Sequence, residues 1–165
     1  MALTRLSNQS LTSLTALPAA ISTGKILQQV HANTSTQVAL SSSTLTDTGL
    51  TASITPSATS SKILVIATHN GNFASNGNIN NAVSIFLLRD STEIGRTGGV
   101  WMETATDFIN SSISFNVVDS PSSTSALTYK TQFRNINGTS EVAVQKSFGG
   151  NWGSTSYITL MEIAG

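Results

Sequence analysis

Ser111-Ser112-Ile113-Ser114-Phe115-Asn116-Val117-Val118-Asp119, followed beyond Pro121 by Leu127-Thr128-Tyr129-Lys130-Thr131-Gln132-Phe133-Arg134, is the stretch on which the fold reading turns. Ile113, Phe115 and Val117 alternate with Ser112, Ser114 and Asn116. Leu127, Tyr129, Thr131 and Phe133 alternate in the same way with Thr128, Lys130 and Gln132. A period of two puts one set of side chains in a core and the other in water, the signature of a half-buried strand.

Working outward, similar runs recur at short intervals with turn residues between them. They are Lys25 to His31, Thr36 to Leu40, Gly49 to Thr55, Ser61 to Thr68, Ala82 to Arg89, Ser111 to Asp119, Ser125 to Arg134, Glu141 to Ser147 and Ser156 to Ile163, with Thr92 to Thr97 as a further candidate. Many short strands at such spacing predict a β-sandwich or barrel. Composition agrees: 49 of the 165 residues are Ser or Thr and only 16 are Lys, Arg, Asp or Glu, so good helix formers do not dominate.

Two runs, Ile63-Leu64-Val65-Ile66 and Ile85-Phe86-Leu87-Leu88, are apolar on both faces. Such strands need cover on both sides, and a neighbouring subunit is the expected source. This makes Leu64, Ile66, Phe86, Leu88 and Met161 the candidate subunit interface. Asn137-Gly138 reads as a hairpin turn. His69 to Asn81, rich in Asn and Gly, reads as a long exposed loop. Asn72, Asn76 and Asn78 of that loop, with Trp101, Phe148 and Trp152 in or beside glycine-rich turns, are the candidate partner-binding positions.

Residues 1–24 differ from the rest. Leu3, Leu6, Leu11, Leu14, Leu17 and Ile21 are apolar beads on a polar string, and we read this segment as an arm preceding a single domain of residues 25–165.

Formal net charge is zero and the eight cations are scattered, so no basic stripe is available to neutralise phosphates, and nucleic-acid binding is not expected. The chain has no cysteine. Its longest strongly apolar run, Ile63 to Ala67, is too short to cross a bilayer, and the first residues lack the apolar stretch of a signal peptide. Catalytic signals are missing too. The acids Asp47, Asp90, Glu93, Glu103, Asp107, Asp119, Glu141 and Glu162 fall mainly at strand ends and turns, where solvation is the expected fate. His31 and His69 have no metal-ligand spacing, no Gly-x-Ser-x-Gly elbow surrounds any serine, and Gly98-Gly99 and Gly149-Gly150 lack a phosphate-cradling context. No enzyme activity, cofactor or metal is expected.

Several stretches together carry a family resemblance: Leu11-Thr12-Ser13-Leu14-Thr15-Ala16-Leu17-Pro18 leading to Gly24-Lys25-Ile26-Leu27-Gln28, Ser60-Ser61-Lys62-Ile63-Leu64-Val65, Leu87-Leu88-Arg89-Asp90, Asp119-Ser120-Pro121, Ser125-Ala126-Leu127-Thr128-Tyr129-Lys130 and the closing Ile158-Thr159-Leu160-Met161-Glu162-Ile163. In order and spacing the chain resembles small virion structural proteins of tailed phages, cyanophages among them. That resemblance implies an antiparallel jelly-roll sandwich similar to tumour-necrosis-factor-like knobs, assembled as a homotrimer. It implies a place on the virion, after synthesis in the bacterial host cytoplasm. Because 24 residues cannot build a fibre shaft, the expected role is a capsid decoration or cement protein whose arm grips the major capsid protein. The alternative is a tail-fibre or spike knob that meets tail proteins and binds a host receptor or surface glycan. A free-standing carbohydrate-binding jelly roll and an enzyme are the rival classes.

Overall fold

A computed structural model describes residues 24–75, 81–101, 109–147 and 154–165. Among them are ten strands and no helix: β1 (Ile26–Thr34), β2 (Val38–Leu40), β3 (Thr46–Ile54), β4 (Lys62–Ala74), β5 (Ala82–Arg89), β6 (Thr92–Trp101), β7 (Ile109–Asp119), β8 (Leu127–Asn135), β9 (Val142–Val144) and β10 (Ser156–Ile163). The candidate arm residues Leu3, Leu6, Leu11, Leu14, Leu17 and Ile21 lie outside the described residues, as do Asn76, Asn78, Phe148 and Trp152.

The eight long strands pair antiparallel in nested order, β1 with β10, β3 with β8, β4 with β7 and β5 with β6. First pairs with last and each successive pair lies inside the one before, so the chain is a long double ribbon rolled into two sheets. The rolled sheets read β1-β10-β4-β7 and β3-β8-β5-β6, which is the jelly roll the sequence led us to expect. The short strands extend the first sheet: β9 pairs with β4 at Phe73 and Ala74, beyond the last β10 partner at Thr68, and β2 pairs with β9.

Burial follows the period-two pattern. Ile63, Val65 and Ala67 of β4, Ile158 and Leu160 of β10, Leu87 of β5 and Tyr129 of β8 meet Leu50, Ala52 and Ile54 of β3 in one apolar cluster. Val83 and Ile85 of β5, Phe133 of β8, Ala74, Val142 and Val144 form a second. Each fully buried side chain of this size contributes about 1.5–3 kcal/mol. At the junction, where β8 passes from Tyr129 to Phe133, the core turns polar. The Thr131 hydroxyl lies 2.6 Å from that of Thr48 and 3.0 Å from His69 Nε2. Gln145 Nε2 donates to Ser156 Oγ at 2.9 Å and faces His69 Nδ1 at 3.4 Å. All five residues are buried. Burial pushes the His69 pKa down to about 4, so the ring is neutral near pH 7.

Two sequence expectations need correction. The first half of the loop read from His69 to Asn81 is strand: β4 runs on to Ala74 and is fully buried at His69 and Asn72. Its amides are consumed in place, with Asn72 Nδ2 donating to the carbonyls of His69 and Ser111 across a register shift between β4 and β7. Polar composition suggested solvent, but the buried Asn72 and Asn81 amide nitrogens donate to backbone carbonyls, while their Oδ1 atoms are buried without a hydrogen-bond partner among the described residues. Asn137-Gly138 is likewise no hairpin. β8 belongs to one sheet and β9 to the other, so the turn carries the chain across the sandwich, with Gly138 at φ +68°.

Candidate functional site

Register fixes which side chains share the outer face of the β1-β10-β4-β7 sheet. Gln29, Met161, Leu64 and Val118 form one cross-strand row; His31, Thr159, Ile66 and Asn116 the next; Asn33, Tyr157, Thr68 and Ser114 the third. Across these rows there is no Lys, Arg, Asp or Glu, and Lys62, one row further along β4, marks the border. Leu64, Ile66 and Met161 are half-buried, and Val118 is 57% exposed. Hydroxyls here pair across strands: Thr68 with Ser114 at 2.9 Å, and His31 Nδ1 with Thr159 Oγ1 at 3.0 Å.

Of the candidate interface residues, the fold therefore unites Leu64, Ile66 and Met161, with Leu64 and Met161 directly opposed. Phe86 and Leu88 do not join them. They lie on the outer side of the other sheet and are 4% and 8% exposed in the single chain. The guanidinium carbons of Arg96 and Arg134 stand 5.4 and 5.3 Å from the Phe86 ring centre, and Lys130 and Glu93 are the strand partners of Leu88. The cover expected from a neighbouring subunit comes from the chain's own long charged side chains.

The partner-binding positions fare differently. Asn72 is interior, and Trp101 is 58% exposed at the end of β6 rather than in a loop. At the Tyr157 end of the uncharged face, β4, β7 and the start of β10 leave an open cleft of about 560 Å³. Gly71, Asn70, Asn110, Ser111, Ser112, Ser154, Thr155 and Tyr157 line it. Gly71 makes the cleft floor possible: its φ is +66°, and a Cβ there would come within 2.6 Å of the Lys146 nitrogen. The close approach lets Gln145 N–H and Lys146 N–H donate to the carbonyls of Asn70 and Gly71. Sequence reading put Ser112, Ser114 and Asn116 in water but did not join them, or Val118, to Leu64, Ile66 and Met161, because that needs the β4–β7 register. Nothing in the sequence joined Asn70 to Thr155.

Ionisable groups are tied into structure. Glu162 is buried and accepts from Ser57 N–H (2.7 Å), Ser57 Oγ (2.6 Å), Ser61 Oγ (2.7 Å) and Gln28 Nε2 (2.6 Å). Burial alone would raise its pKa, but these donors outweigh burial and hold it at about 2. Asp119 accepts two hydrogen bonds from Arg89 Nη1, at 2.8 and 2.7 Å, and one from the Tyr129 hydroxyl at 2.7 Å. Burial and the neighbouring Asp119 push the Tyr129 pKa up, while Asp119 holds the Arg89 guanidinium still more firmly charged. Both acids had been expected in solvent; both are structural fasteners. Among the described residues no group of three or more His, Cys, Asp or Glu could hold a metal ion.

No protein-family model matches the chain, and no curated protein does. Solved structures offer distant likenesses. The VP2 subviral particle of infectious bursal disease virus is 14% identical with a TM-score of 0.40, over 85% of this chain and 34% of that one. The T13 viral particle of the same virus is 14% identical with a TM-score of 0.39, over 84% of this chain and 38% of that one. The chain thus spans little more than a third of these neighbours.

Proposed function

We propose that this chain is a non-enzymatic virion structural protein that self-associates through the uncharged outer face of β1-β10-β4-β7. Homotrimers formed in this way would decorate the capsid, held there by the segment of residues 1–24. The carrying observation is the neutral face itself, with Leu64, Ile66, Met161 and Val118 in adjoining positions and no charge across three rows. A second copy can cover such a face without desolvating an unpaired ion, which is the usual obstacle to burying a protein surface. In a ring of three, one edge of this face would meet a different part of the same face on the next copy, and closure limits growth. The virion setting and the number three come from the sequence resemblance to tailed-phage structural proteins. Three arms on one trimer would raise the effective concentration of each, so that weak contacts add to firm attachment.

Sedimentation of the full chain tests the assembly. The expected result is a trimer whose mass is unchanged between low and about 0.5 M salt, where exposed ion pairs are screened, and a monomer for Leu64→Lys. A wild-type monomer, or a trimer untouched by Leu64→Lys, rejects the face. Deleting residues 1–24 tests the arm separately: the shortened protein should still form trimers but no longer co-sediment with particles, and normal decoration would reject its role.

A further inference from the structure

We infer that the cleft bounded by Asn70, Ser111, Ser112, Ser154, Thr155 and Tyr157 is a binding site for a neutral glycan. Its volume of about 560 Å³ falls within the range of small-ligand sites. The chemistry of its walls narrows the ligand. Among the described residues none that lines it carries a charge, so a phosphate, sulfate or sialic acid would lose its hydration with no cation from them in return. Among the described residues the walls are hydroxyls and amides with one aromatic ring, Tyr157, which gives an apolar ligand little to bury against. A neutral sugar matches both features. Its hydroxyls donate and accept at once, as Ser, Thr and Asn side chains do, and its C–H face suits an aromatic surface.

The site is also built before any ligand arrives. Tyr157 is 43% exposed, and its ring is stacked on His31 with centres 5.9 Å apart and planes 26° from parallel, which fixes it at the cleft margin. Asn70 Nδ2 donates to the Thr155 carbonyl at 2.6 Å, and Ser154 Oγ donates to the Lys146 carbonyl at 3.0 Å. These bonds join the cleft wall to the floor formed by Gly71. Side chains held on paired strands lose little freedom on binding, which favours a weakly interacting ligand such as a sugar.

The cleft is centred away from the apolar part of the assembly face, because Asn70 lies six residues along β4 from Leu64, roughly 20 Å away. Tyr157, in the outermost row of that face, is common to both, so Ser112→Arg is the variant that tests the cleft alone. The test is an array of neutral and sialylated oligosaccharides probed with the full chain, followed by solution titration of the best retained soluble oligosaccharide. We expect a neutral glycan to be retained. Tyr157→Ala and Ser112→Arg should each weaken its binding by about ten-fold or more. Ser112 is exposed, so the arginine fills the cleft without entering the core. Leu64→Lys should change the sedimenting mass and leave the monovalent affinity within about two-fold, less than 0.5 kcal/mol. Retention of no neutral glycan, preference for sialylated ones, or unaltered affinity in both cleft variants with wild-type melting would overturn the site.

Discussion

Phe86 and Leu64 hold matching positions, each pointing outward from an interior strand of its sheet, yet Phe86 is nearly sealed and Leu64 is not. On the β3-β8-β5-β6 sheet the neighbouring strands supply Arg96 and Arg134, whose guanidinium groups lie over the Phe86 ring, and Lys130 and Glu93, which flank Leu88 in register. On the β1-β10-β4-β7 sheet the neighbours of Leu64 are Met161 and Val118, apolar side chains without a charged end to reach water, which leave Leu64 half-buried and are themselves partly exposed. Identical apolar doubling in two strands therefore has two outcomes, decided by the strands alongside. One face is finished within the chain and the other is left open to water.

The sharpest way to break this comparison is to remove the two apolar groups in turn. Phe86→Ala should cost about 3 kcal/mol in urea unfolding, since a buried ring is lost and two guanidinium groups lose the surface they cover. Met161→Ala should cost under about 1 kcal/mol in dilute, dissociated protein, because its side chain is only half-buried there. Equal costs for the two would mean that the faces do not differ as described.

How much of this was legible in the sequence depends on the range of the interaction. Alternation within β7 and β8 gave strands and their inward faces, because a two-residue period is local and survives any topology. The doubled runs at Ile63 to Ile66 and Ile85 to Leu88 announced cover on both sides. They could not say whose, since Arg96 and Arg134 reach Phe86 only after β5, β6 and β8 are paired. The His69 to Asn81 stretch misled for a related reason: Asn72 spends its amide on the carbonyls of His69 and Ser111, a bond invisible until β7 lies beside β4. Glu162 misled similarly, because its four donors come from Gln28, Ser57 and Ser61, more than a hundred residues away.

Glu162 also sharpens the comparison, for it sits next to Met161 and a one-residue slip of β10 would exchange them. Anchoring the carboxylate inside holds Met161 outside. Glu162→Gln should cost about 2 kcal/mol, in the range of lost charge-assisted hydrogen bonds. The pH dependence follows from the sign of the shift. The folded-state pKa of about 2 lies below the ordinary 4.5, so the stabilisation is complete above pH 4.5 and is lost as pH falls from there towards 2. Urea midpoints measured from pH 6 to pH 2.5 should therefore fall more steeply in the wild type than in Glu162→Gln. Parallel curves would show that the buried carboxylate contributes nothing special.

The smallest expected effect belongs to the charges on the finished face, and it separates coverage from ion pairing. Lys130 Nζ lies 3.0 Å from Asp47 Oδ1, and Asp47 also accepts from Gln132 Nε2 at 2.8 Å. Burial opposes the Asp47 charge, but its bonds to Gln132 and Lys130 and the Lys130 charge together outweigh burial and bring its pKa below the ordinary value. Asp47 is exposed and Lys130 partly so, so a double-mutant cycle between Asp47→Ala and Lys130→Met should give a coupling below about 1 kcal/mol that fades with added salt. Lys130→Met retains an unbranched apolar stem opposite Leu88, so its own cost should stay within about 0.5 kcal/mol if that face uses Lys130 for cover rather than for charge. A large coupling that persists in high salt would show the reverse, with attraction between charges, rather than shielding of apolar surface, completing this side of the molecule.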